Sequence, residues 1–107
     1  MSESQSPSPT EALPTVVKLS RPVPVLDGSV SEFSLREPTG LDLSVAGYPV
    51  KYATDGSGGF DTPAMTRMIA RLAGVPLTAA QSLRASDWTA CAAVIAGFLP
   101  PGADASS

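Results

Sequence analysis

Hydrophobic positions along this chain recur first at every second residue and later at every third or fourth, which divides it into strands followed by helices. From Val16 to Leu26 and from Val30 to Arg36 the residues are rich in β-branched and apolar types, and Asp27-Gly28 stands between the two runs. Such a pattern predicts an antiparallel hairpin. A two-residue Asp-Gly loop would set Phe33 and Leu35 opposite Pro22 and Ser20, mixing apolar with polar side chains. A three-residue loop, Leu26-Asp27-Gly28 with Gly28 left-handed, pairs Leu19 with Leu35 and Val23 with Ser31. It collects Val17, Leu19, Val23, Val25, Phe33 and Leu35 on one face, so this register is the expected one. Pro22 and Pro24 offer no N–H, and the first strand is expected to keep a free outer edge.

Beyond Pro38 the period lengthens. Thr39 with Asp42 three positions on reads as an approximate capping box, and Gly47 as a stop, which predicts a short helix over Gly40–Ala46. Tyr48 to Phe60, with Gly56, Gly58 and Gly59, reads as a flexible loop. Thr62 is the expected cap of the next helix, with Pro63 in its first turn. Met65, Met68, Ile69 and Leu72 then form one apolar stripe, with Arg67 and Arg71 opposite and Gly74 and Pro76 at the end. A brief helical turn is expected from Thr78 to Leu83. Ser86 is the expected cap of a last helix from Asp87 to about Leu99, which Pro100 and Pro101 stop. The predicted class is α+β: an N-terminal antiparallel hairpin, then a small bundle of short helices.

Residues 1–14 are rich in Ser, Pro, Glu, Gln and Thr, and residues 100–107 in Pro, Gly, Ala, Asp and Ser. Neither stretch has enough apolar surface to offset an ordering cost of roughly 1–2 kcal/mol per residue, so both are expected to stay disordered around a domain at 15–99. A domain that small buries only about 60% of its unfolded surface, and its stability should lean on a partner.

Composition narrows the chemistry. The net charge is −3 and the seven basic residues are scattered, so no phosphate-binding patch forms and nucleic acid is not an expected partner. The amino terminus has neither the basic start nor the apolar stretch of a secretory signal, and no run is long enough to span a bilayer. A cytoplasmic protein without membrane contact is expected. Histidine is absent, which removes the commonest general base and metal ligand. Cys91 lies in an apolar run with no basic residue within a turn, and reads as a small buried hydrophobe. The carboxylates have capping, turn or tail roles and form no pair that would face one cleft. Asp55-Gly56-Ser57-Gly58-Gly59 lacks both the Lys-Ser/Thr ending of a P-loop and the acidic spacing of a calcium loop. No enzyme, metal or cofactor is expected.

What remains is surface. Trp88, Cys91, Ala92, Ile95, Phe98 and Leu99 form one broad stripe of the last helix, and Thr89, Ala90, Ala93, Val94 and Gly97 the other side, with no charge after Asp87 until the helix ends. A helix apolar all round is ordinarily buried all round, and a fold of this size has few elements to cover both sides. Either the second face docks a partner or another copy of the chain, or alanine stands there as a good helix former. Arg36 and Glu37, at a strand end, read by themselves as a solvated contact worth less than ~1 kcal/mol.

Leu35-Arg36-Glu37-Pro38-Thr39, closing the hairpin and followed by Asp42-Leu43, resembles the opening of the small tail assembly chaperones of Mu-like and related contractile-tailed phages. Ala70-Arg71-Leu72-Ala73-Gly74-Val75-Pro76, then Leu83, Asp87 and the ending Val94-Ile95-Ala96-Gly97-Phe98-Leu99, is similar to that family's closing pattern. The resemblance runs from about Val16 to Leu99. It implies a non-catalytic protein of the bacterial host cytoplasm that binds the tape measure protein, keeps it soluble, helps recruit tail tube protein and leaves before the virion matures. Such proteins are often made with a longer, frameshifted form of themselves. The contact residues expected on this reading are Arg36 and Glu37 as orienting polar groups, with Met65, Met68, Trp88, Ala90, Ala93, Val94, Gly97 and Phe98 on the last two helices. A structural tail protein retained in the virion and a small antitoxin-like regulatory module are the alternatives.

Overall fold

In the computed structural model, which describes residues 14–52 and 58–99, the first apolar runs form β1 (Thr15–Val25) and β2 (Gly28–Leu35), an antiparallel pair. Then follow α1 (Gly40–Ala46), a second hairpin of β3 (Val50–Tyr52) and β4 (Gly58–Phe60), and three helices, α2 (Thr62–Ala73), α3 (Leu77–Gln81) and α4 (Ala85–Phe98). The class is α+β, as the periodicity predicts. The arm at 1–13 and the tail at 100–107, expected to be disordered, lie outside the described residues.

The inward face of the first hairpin matches expectation, and its register does not. Val17, Val23, Phe33 and Leu35 are buried, and Leu19 and Val25 pack against them. The turn is Leu26-Asp27, with Val25 paired to Gly28 and Val23 to Val30, whereas Val17 pairs with Phe33 and Thr15 with Leu35. Between these two registers the residues from Leu19 to Pro22 stand against Ser31 alone, a wide bulge in β1. The physical reason is in β2. Val30 and Phe33 both turn toward the core, and a spacing of three cannot put two side chains on one face of a regular strand. An irregular stretch in the partner strand changes the facing parity and lets both point inward. Gly28, at φ +137, takes a backbone conformation that L side chains rarely adopt.

Local signals place most of the helices. Thr39 and Asp42 form the reciprocal capping box, and Gly47 closes α1 at φ +94. Gly74 is left-handed at φ +71, its N–H directed to the carbonyls of Ala70 and Arg71, and Val75 N–H reaches Ala70 O at 3.0 Å, which ends α2. Two expected caps are corrected. Asp61, not Thr62, caps α2, its carboxylate accepting from Ala64 N–H at 3.2 Å. α4 starts at Ala85 with Arg84 as its cap residue, without a side-chain cap bond, so Ser86 lies inside the helix. α3 begins at Leu77, one residue before the expected Thr78.

The stretch from Tyr48 to Phe60 is also corrected, since its described parts pair as a hairpin. Val50 faces Phe60 and Tyr52 faces Gly58, and Asp61 N–H extends the ladder to Pro49 O at 2.8 Å. Glycines hid this strand, because they are depleted in strands and read as loop punctuation. The middle of the expected glycine loop, 53–57, lies outside the described residues.

Helix α2 is the hub. It contacts β2, α1, α3 and α4, and buries Met65, Met68, Ile69 and Leu72. Burying side chains of this size is worth about 1.5–3 kcal/mol each. Cys91, Ala92 and Ile95 of α4 and Ala79 and Ala80 of α3 complete the same cluster.

Candidate functional site

The string from Leu35 to Thr39 folds around the carboxylate of Asp42, the capping-box residue of α1. Leu35 is sealed in the core, and the next residue, Arg36, turns its guanidinium onto Asp42, with bonds of 2.6 and 3.0 Å to the two carboxylate oxygens. Arg71 Nε donates to the same group at 2.8 Å, and Thr39 adds its N–H at 2.8 Å and its hydroxyl at 3.1 Å. Asp42 is only 1% exposed. The Arg36 guanidinium first, then the Thr39 N–H and Arg71, hold its carboxyl far below the usual range, against the opposing pull of burial. Arg36 therefore ties the end of β2 to α1 through Asp42, which Arg71 of α2 also holds, while its own side chain stays 46% exposed. Glu37 is exposed, and its backbone carbonyl accepts a long 3.4 Å bond from Arg36.

The expected apolar contact set separates into three. Met65 and Met68 are fully buried and have no surface to offer in this fold. Trp88, Val94 and Phe98 are half-buried. Trp88 meets Phe60 edge-on, with ring centroids 5.8 Å apart, and donates its indole N–H to Thr66 Oγ1 at 2.9 Å. Ala90, Ala93 and Gly97 are exposed on the outer side of α4. The inner side of that helix buries Cys91, Ala92 and Ile95, so α4 is covered on one side only among the described residues.

Among the described residues the large exposed apolar side chains lie elsewhere, and in more than one region. Leu26 in the first hairpin turn is 89% exposed, Leu41 and Val45 of α1 65% and 56%, Val16 of β1 47%, Tyr48 43%, and Leu77 at the start of α3 41%. Two open grooves flank Leu77. One, of about 560 Å³, runs between α2, α3 and the start of α4, lined by Thr66, Ala80, Leu83 and Trp88 among others. The second, of about 290 Å³, lies between α1 and the end of α2, lined by Val45, Ala46, Ala70, Arg71 and Val75. Arg67 and Leu77 line both, so the grooves meet on a shared saddle.

Sequence reasoning missed this region because α1 inverts the ordinary pattern. It buries a charged residue, Asp42, and leaves two aliphatic ones, Leu41 and Val45, outside. Their spacing of four was a signal that could have found it, since it places both on one side of the helix.

Cys91 is buried and its thiol pushed up to about 11, by burial first and the Asp87 carboxylate second, which leaves it protonated near neutral pH. Among the described residues no three His, Cys, Asp or Glu side chains come together in a group that could hold a metal ion.

A family model described as "Phage tail assembly chaperone proteins, E, or 41 or 14" matches residues 16–100. No curated protein and no solved structure gives a significant match. The family match takes in both hairpins, all four helices save the first residue of β1, the Asp42 knot and the two grooves. The chain belongs to the phage tail assembly chaperones.

Proposed function

We propose that this chaperone's client is the tape measure protein of a contractile phage tail, and that residues 15–99 form the domain that binds it. It covers apolar helical surface of the client in the host cytoplasm while tail tube protein is recruited, acts without catalysis, and is absent from the mature virion. The observation that carries the reading is the family match over 16–100 joined to large aliphatic side chains left in water around two open grooves. Surface of that kind marks interaction sites more often than isolated exposed residues do. The family supports a protein partner in tail assembly and a role without turnover.

Co-expression with the tape measure protein of the same phage tests the reading. The client should become soluble and co-purify with the chain. A client that stays insoluble with and without the chain overturns the assignment. Mass spectrometry of purified particles should find the chain absent.

A further inference from the structure

Charge is distributed unevenly over this molecule. The whole chain carries −3, yet among the described residues the only charged ones lining either groove are two arginines, Arg67 and Arg71. Arg71 is committed to Asp42 through its Nε at 2.8 Å. Arg67 donates its Nε to Ala46 O at 3.0 Å, and a side chain at Gly47 would meet its NH2 end at 3.7 Å, so the guanidinium is laid along the end of α1. Among the described residues no carboxylate pairs with it. A cation stands on the saddle between two apolar recesses, held in place and, among the described residues, without a counter-charge.

The walls decide the form of the occupant. Among the described residues every lining residue belongs to a helix or to the connections beside α3, and no strand edge borders either groove. An extended segment would find no backbone ladder to join, so a buried occupant must satisfy its own N–H and C=O groups. A helix does that, and the recesses on both sides of Leu77 suit anchors placed along one side of it.

We infer that the two grooves form one trough for a single amphipathic helix of the client, which carries a carboxylate between two apolar anchors and sets it on Arg67. This rests on the client-binding reading and adds to it the docking face and the chemistry of the bound segment. It also moves the interface away from the outer side of α4, where Ala90, Ala93 and Gly97 are small and uncharged. A charge-assisted bond in a partly desolvated trough makes Arg67 the residue that selects acidic over basic helices.

The test uses the full chain co-expressed with the tape measure protein, with a photo-crosslinking residue placed at Leu77 or at Ala93, which lines neither groove. Crosslinks to the client from Leu77 and not from Ala93 are expected, and the reverse overturns the trough while leaving the chaperone reading intact. Overlapping synthetic peptides of the client then identify the bound segment. Arg67→Glu should weaken that peptide roughly tenfold or more, and exchanging the peptide's acidic residue for lysine should restore binding to R67E. Because Arg67 also holds Ala46 O, circular dichroism checks the fold of R67E, and Leu77→Asp, at an exposed position, is a second variant expected to lose binding. Unchanged affinity in folded R67E and L77D overturns the inference. Absence of crosslinks from both positions, with an insoluble client, removes the chaperone reading and this inference with it.

Discussion

Among the described residues two carboxylates are buried, and they solve the same problem with different partners. Asp42, in the first turn of α1, is met by two arginines and by Thr39. Asp87, in the first turn of α4, is 6% exposed and takes Ser20 instead: its two oxygens accept the Ser20 N–H at 3.1 and 3.0 Å, and one accepts the hydroxyl at 2.9 Å. No cation pairs with Asp87 among the described residues. Its compensation is the amino end of α4 and a backbone N–H that the β1 bulge has freed from the ladder. The difference teaches what each group ties. Asp42 gathers three elements, β2, α1 and α2, through charged side chains. Asp87 clasps one irregularity of the hairpin to α4, and thereby helps hold the β1 bulge that sets its register.

The tie at Asp42 is the stronger of the two. Asp42→Ala strands Arg36 and Arg71 around an empty position, and removing one partner of a buried ion pair costs about 3–5 kcal/mol. Both arginines are partly exposed, with side chains 46% and 32% accessible, so the loss belongs at the lower edge of that range. Urea unfolding should show a large fall in midpoint. The same group governs acid sensitivity. Its folded carboxyl lies far below its unfolded value, so the stability it contributes is complete above about pH 4–5 and is lost as pH falls toward the folded pKa. A Asp42→Ala titration should therefore be flatter on the acid side than that of the parent chain.

Asp87→Ala is the middle case. It leaves Ser20 N–H without its acceptor at a partly buried site and removes a favourable charge from the start of α4, at a cost of about 1–3 kcal/mol. Hydrogen exchange at Ser20 should speed up more than exchange at Phe33. An equal rise at both would mean that Asp87 supports the whole fold and not the bulge alone. Ala93→Glu, on the exposed side of α4, sets the lower end of the scale. Its thermal midpoint should move by no more than about 0.5 kcal/mol equivalent. With the client docked at the trough, it should co-purify as the parent does. A loss of binding by about 2 kcal/mol, the cost of a buried unpaired charge, would return the interface to α4.

The candidate surface shows the same division between near and distant information. Ala90, Ala93 and Gly97 are exposed where the pattern of α4 places them, because a 14-residue helix with one covered side must leave the other in water. Met65 and Met68 obey the same periodicity and are sealed inside, since α2 lies at the centre of the fold. An apolar stripe announces that something will cover it. Whether the cover is the chain itself or a client depends on neighbours that periodicity does not name.

By itself the amino-acid sequence determined what depends on a few adjacent residues: the inward face of the hairpin, the capping box of Thr39 and Asp42, the stripe of α2, and the left-handed stop at Gly74. Each rests on backbone sterics or on bonds reaching no further than four or five positions. Tertiary structure alone decided the register, since the bulge is clasped by a carboxylate 67 positions away, and the arginine knot, since Arg71 is 29 positions from Asp42. It also decided the trough, whose walls come from four helices. The physical reason is that burial and counter-charge belong to a place in space, and the chain brings distant residues there only when it packs.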